Sequence, residues 1–226
     1  MLRDAQLILQ KDLTIERRSR EVVFTVVIFS LLSTMVFALS FMIDQDTSKA
    51  YGPGVIWVTI LFAGTLGLGR LFEPERENDC MAGLLLTPAD PRGVYLGKLA
   101  VQLVFMGIME LLTIPAAFLF FDLFPLLDGE TVWLFIAIVV LGTIGFALIG
   151  TLFAAMLLNS RLKDVMLPII VYPLVTPVLI AGVQSTRALF MGDPGADVTG
   201  WLAILGAFDL IYLAVALVIF PLMVRE

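Results

Sequence analysis

Apolar residues along this chain gather in long runs separated by short polar connections. A hydrocarbon core of about 30 Å takes about 20 apolar helical residues to cross. Residues 22–43, 51–69, 99–121, 131–158, 165–186 and 200–224 meet that requirement. The first run holds no charge and outlasts the apolar region of a signal peptide, so it is read as a retained span. The third and sixth each hold one acid near mid-span, Glu110 and Asp209. The fourth is long, so it is expected to tilt or project into the cytosol. The fifth carries Pro168, Pro173 and Pro177, each of which removes a backbone donor, so a kinked or broken helix is expected there.

Two segments outside the runs also carry a pattern. At 100° per residue, Leu2, Ala5, Ile8, Leu9, Leu13 and Ile15 share one side of residues 1–20, with Arg3, Gln10, Lys11 and Arg18 opposite. Leu7 and Asp12 break this pattern. The segment predicts a helix in the membrane interface that leads into the first span through Arg17, Arg18 and Arg20. Residues 70–98 form the only sizeable cytosolic connection, since the other spans just 159–164. Pro74 suits a first helical turn, and Glu73, Glu75 and Glu77 put negative charge at its positive end. Cys80, Met81, Leu84 and Leu85 supply an apolar side, Thr87-Pro88 ends the helix, and residues 90–93 read as a turn. The prediction is a short cytosolic helix over about 73–86, with a solvated loop as the plain alternative.

Composition shows that lipid is the main solvent. Of the 226 residues, 60% are hydrophobic and 15% charged, against about 25% charged in a soluble domain. Charge then sets the orientation. With the N-terminus inside, twelve of the 14 bases fall on the cytosolic side and only Lys49 and Arg187 lie outside. Loops this short follow the positive-inside bias, so both termini are expected in the cytosol. The outward connections, 44–49, 122–130 and 187–199, are acidic. A net charge of −6 argues against nucleic acid as a partner.

Chemistry is limited by what the chain lacks. It has no histidine, which excludes imidazole zinc sites, Ser-His-Asp triads and histidine-ligated haem within this chain. Cys80 stands alone, so neither an internal disulfide nor a CxxC motif can form. No phosphate loop, HExxH or GxSxG motif occurs, so no catalytic, cofactor-binding or metal site is expected and an enzyme is disfavoured. The glycines of residues 64–69, with Gly142, Gly145, Gly150 and Ala154, read as helix-packing surfaces. Glu110 and Asp209 mark either functional interior positions or protonated acids bonded to a neighbouring helix.

Gly52-Pro53-Gly54-Val55-Ile56-Trp57-Val58, followed by Arg70-Leu71-Phe72, resembles the second span of the heme exporter protein B family. Leu84-Leu85-Leu86-Thr87-Pro88 with Gly97-Lys98 is similar to that family's cytosolic loop, and residues 200–207 to the start of its last span. The resemblance implies the membrane subunit of an ABC transporter complex used in cytochrome c maturation, in the bacterial inner membrane. Its implied partners are a soluble ATPase that binds ATP, a haem-handling membrane subunit, a small membrane peptide and a periplasmic haem chaperone, with a homodimer allowed. No cofactor is expected on this chain itself, because haem is handled by the complex.

The expectation is therefore an all-α integral membrane protein, ABC-2-type permease-like, with residues 1–226 as one transmembrane domain. Six transmembrane helices are joined by an N-terminal interfacial helix and a cytosolic coupling helix. The residues expected to meet an ATPase are Glu73, Glu75, Glu77, Asp79, Met81, Leu84 and Leu85. Export of another hydrophobic solute or lipid, and a non-transporting scaffold, are the alternatives.

Overall fold

The computed structural model describes residues 1–41, 45–77, 90–126, 129–158, 160–192 and 197–223. Among these residues the regular structure is helical. The elements are α1 (Leu2–Ser19), α2 (Glu21–Phe41), α3 (Gln45–Leu71), α4 (Glu73–Glu77), α5 (Pro91–Phe120), α6 (Gly129–Met156), α7 (Lys163–Met191) and α8 (Val198–Met223). A 3-10 turn at Phe124–Leu126 lies between α5 and α6. Among the described residues six helices are long and apolar enough to cross a membrane, corresponding to the six predicted runs.

Several helices outrun their apolar stretches. α5 begins at Pro91, not near 99, so the expected turn at 90–93 is a helix start. Asp90 caps it by accepting from the Arg92 N–H at 3.0 Å, with Pro91 in the first turn where no donor is needed. α3 already runs from Gln45 and α7 continues to Met191, so parts of the expected outer loops are helical. Hydropathy marks the part of a helix that suits lipid, whereas the hydrogen-bond ladder continues past it. α7 is likewise one continuous helix through Pro168, Pro173 and Pro177, against the expected break. Pro173 and Pro177 lie on its exposed side, while Val171, Val175 and Val178 pack inward.

α3 is the central strut. Of its apolar window 67% is buried, against 17% in α2 and in α8. It packs on α2, α5, α6 and α7, while α8 covers α6 and α7 on the far side. Gly64, Gly142, Gly145 and Gly150 are close-packed as predicted, whereas Gly69 borders a cleft. A Cβ on Gly142 would lie 2.1 Å from Trp57 Cη2, and one on Gly150 would lie 2.2 Å from Leu68 Cδ1. Gly182 of α7 clears the other side of the same indole, whose Nε1 donates to Thr186 Oγ1 at 3.0 Å. Lipid gives helices no hydrophobic drive to associate, so close backbone approach and polar links must serve. Such links recur: Ser30 with Thr113 joins α2 to α5 at 2.7 Å, Gln102 Nε2 donates to the Gly64 carbonyl at 3.1 Å, and Tyr95 OH donates to the Leu148 carbonyl at 2.9 Å.

Candidate functional site

One end of the bundle holds a buried ionic joint that ties three elements together. Lys98, in the third turn of α5, is 1% exposed. Its Nζ donates to Glu75 Oε2 of α4 at 2.6 Å and to the Leu71 carbonyl at 3.0 Å, and pairs with Asp12 Oδ2 of α1 at 2.8 Å. The ammonium also lies 5.0 Å from the centre of the Phe72 ring. Lys11 closes the circuit, with its Nζ on Glu75 and 3.1 Å from Asp12 Oδ1. Two lysines face two carboxylates, so the charge balances and each ion has more than one partner. That arrangement makes a buried ion tolerable.

Local sequence explains how α1 reaches this joint. α1 crosses the start of α5 where Gly93 and Gly97 leave room: a Cβ on Gly97 would lie 2.7 Å from Ile8 Cβ, and one on Gly93 would lie 2.7 Å from the Met1 carbonyl. Ile8, Asp12 and Glu16, spaced four apart, are the buried residues of α1. Leu2 and Leu7 remain 76% and 56% exposed. The inward stripe of α1 thus lies on the predicted apolar side, with Asp12 at its centre because that carboxylate is held by Lys98. Glu16 acts at the next junction, where Oε1 accepts the Val23 N–H of α2 at 2.9 Å.

Two smaller links flank the joint. Arg70 bridges Glu73 at 3.0 Å and Glu21 at 3.4 Å, and Lys163 Nζ of α7 donates to the Gly69 carbonyl at 3.1 Å. Beside them a cleft of about 300 Å³ opens between α3 and α7, lined by Thr65, Gly69, Arg70, Glu73 and Asp164.

The residues expected to face an ATPase are divided by this geometry. Glu73 is half-buried beside Arg70 and Glu77 closes α4. Glu75 differs from expectation: it is 3% exposed, pointed into the joint and not out to a rim. The physical reason is Lys98, which needs a counterion where α3 meets α4. Asp79, Met81, Leu84 and Leu85 lie outside the described residues. Sequence reasoning missed Lys11, Asp12 and Glu16. Asp12 did leave a signal, as an acid on the apolar side of an amphipathic helix.

The two mid-span acids do not face one another. Glu110 of α5 accepts from Thr143 Oγ1 of α6 and borders an apolar groove of about 240 Å³ with Gly107, Ile114, Phe135 and Val139. Asp209 of α8 is 8% exposed and abuts Gly145 of α6, where a Cβ would lie 2.8 Å from Oδ1. Neither Asp209 oxygen has a hydrogen-bond partner among the described residues. Thr143 and Gly145 are two positions apart, so they rise about 3 Å and face opposite sides of the helix. One acid therefore sits on each flank of α6 at similar depth.

Comparison with known proteins follows the same full-length pattern. The chain is 28% identical over 194 residues to heme exporter protein B of Pseudomonas aeruginosa, covering 86% of this chain and 85% of that protein. It is 28% identical over 200 residues to heme exporter protein B of Haemophilus influenzae, covering 88% and 87%. Against heme exporter protein B of Escherichia coli it is 29% identical over 179 residues, covering 79% and 78%. The profile of the family described as CcmB protein matches residues 3–226, nearly the whole length, and the chain belongs to that family.

Proposed function

We propose that this chain is the permease-like membrane subunit of an ABC transporter that handles haem in cytochrome c maturation. The observation that carries the reading is the family match over residues 3–226, with relatives named heme exporter protein B. Six helices long and apolar enough to cross a membrane suit a membrane-embedded transport subunit. Haem is cargo of the complex; the chain has no histidine, so an imidazole ligand for the iron comes from a partner.

Energy enters from a separate soluble ATPase, because no phosphate loop is present in the chain. The contact surface is the segment that begins at α4 and continues through Met81, Leu84 and Leu85. The ionic joint supports this reading, since it anchors the start of that segment to α1 and α5 together. A push on the segment is then delivered to two further helices and not absorbed by a loose loop. The remaining partners are a haem-handling membrane subunit, a small membrane peptide and a periplasmic haem chaperone. The bilayer is the bacterial inner membrane, with both termini cytosolic.

Affinity purification of the tagged chain in mild detergent tests the assignment. A soluble ATPase and a haem-binding membrane protein should co-purify, and loss of the chain should stop cytochrome c maturation. Normal maturation in its absence would sink the proposal.

A further inference from the structure

The corner between α1 and α2 combines three features that the transport reading does not use. First, Leu13, Val23, Phe24, Phe105 and Ile108 line a groove of about 250 Å³ together with Glu16, and Arg17 and Arg20 stand at its rim. Phe24 is 56% and Ile108 37% exposed, so the groove opens sideways onto the surface that faces lipid acyl chains. Second, Arg17, Arg18 and Arg20 are exposed and have no acidic partner among the described residues. The carboxylate in the groove lining, Glu16, is buried and its Oε1 accepts the Val23 N–H. Third, Arg20 holds a left-handed backbone, with φ 55° and ψ 12°, as the C-cap of α1. Glycine takes that conformation without penalty, whereas a side chain pays for its Cβ. An arginine at the position best suited to glycine points to a use for its guanidinium.

We infer that this corner is a binding site for one anionic phospholipid, its phosphate on Arg17 and Arg20 and an acyl chain in the groove between α1, α2 and α5. Charge complementarity selects the headgroup, since two unpaired guanidiniums at the edge of the apolar layer match a phosphate and repel a cation. The apolar walls select a lipid over a free phosphate. Site and occupant are independent of whether the chain handles haem.

The test uses the full-length chain in detergent, with phosphatidylglycerol or phosphatidylethanolamine added back after graded delipidation and retention read by native mass spectrometry. Each basic group at a membrane surface gives about a five-fold gain in affinity for an anionic lipid. Arg17→Gln should thus weaken phosphatidylglycerol retention roughly five-fold, and Arg17→Gln with Arg20→Gly roughly 30-fold. Arg20→Gly relieves the left-handed strain, so thermal unfolding should hold at the wild-type temperature or above. Arg17→Gln alone leaves the corner backbone untouched and supplies the answer if the double variant unfolds. Arg92→Gln, an exposed base on α5 outside the groove, should change nothing. Equal retention by wild type and Arg17→Gln, an equal loss with Arg92→Gln, or equal affinity for phosphatidylethanolamine would overturn the site. So would a photo-crosslinker at Ile108 that captures a protein chain in cells instead of a phospholipid.

Discussion

Lys98 is the residue on which the joint between α1, α4 and α5 turns. Breaking a buried pair by removing one partner costs about 3–5 kcal/mol, because the opposite charge is stranded. Lys98→Met leaves Asp12 and Glu75 to share the exposed Lys11 alone, two buried carboxylates on one ammonium, and should lower the unfolding temperature in detergent markedly. Adding Glu75→Leu to that variant should cost less than the sum of the single losses, since one stranded charge is removed with its partner. Additive losses in a double-mutant cycle would show that the two groups act separately. Lys11 titrates at the edge of the same joint. Burial alone lowers its tendency to stay charged, but the hydrogen bond to Glu75 and the charges of Glu75 and Asp12 outweigh it, leaving the ammonium above the ordinary lysine value of 10.5. A raised folded value means that the contribution is fully present below the unfolded value and lost as pH rises through the folded one. Docking of α1 should therefore be flat across neutral pH and loosen only above the lysine range. Spin labels on α1 and α5 would read this as a distance change that Lys11→Met abolishes.

At the scale of elements, the sequence carries the long runs well and the joints poorly. Twenty or more apolar residues can be satisfied only as a helix in lipid, so α2, α6 and α8 fall within a few residues of expectation. Ends and polar contacts depend on neighbours: α5 starts at a cap that also reads as a turn, and Glu75 looks solvent-facing until Lys98 is placed beside it. The glycine surfaces were legible because small residues at membrane depth have few other uses. This geometry changes the expected ranking of variants in the coupling segment. Leu84→Ala with Leu85→Ala removes apolar anchors worth about 2 kcal/mol or more at such sites and should release the ATPase while the spans remain inserted. Glu75→Ala should weaken assembly as well, by unfastening α4 from α1 and α5, whereas a solvated rim charge would alter mainly the association rate. Co-purification at wild-type yield from the Leu84 and Leu85 variant would move the contact elsewhere, with residues 159–164 the next candidate. The acids flanking α6 make a separate case: placed on opposite faces, Glu110→Gln and Asp209→Asn should impair maturation independently, so their effects combine additively. Normal maturation with Glu110→Leu and Asp209→Leu would leave both acids a purely structural role.

For the whole molecule, polar contacts fix which helix ends lie together, and charge fixes which way they face. Lys98 with Glu75, Arg70 with Glu21, and Lys163 with the Gly69 carbonyl bring the α1–α2 corner, α4 and the starts of α5 and α7 to one end. That end holds most of the 14 bases, so the positive-inside bias predicts that it faces the cytosol. The connections expected at the opposite end are acidic in sequence, and an aromatic cluster packs there, with Phe118 5.2 Å from Phe135 and 5.7 Å from Phe190 between ring centres. Reversal would require carrying Arg17, Arg18, Arg20, Arg70, Arg76, Arg92 and Lys98 outward through the bilayer. Insertion scales set the cost of such a charge at mid-membrane at about 2.5–3.5 kcal/mol each. Single cysteines at Asp46 and Asp128, in a Cys80→Ala background, should therefore react with an impermeant thiol reagent added to intact cells. Arg92→Cys should react only after the membrane is opened, because Arg92 stands exposed in the first turn of α5, beside the ionic joint. Labelling of that cysteine from outside would invert the bundle and put the α4 segment beyond the reach of any cytosolic ATPase.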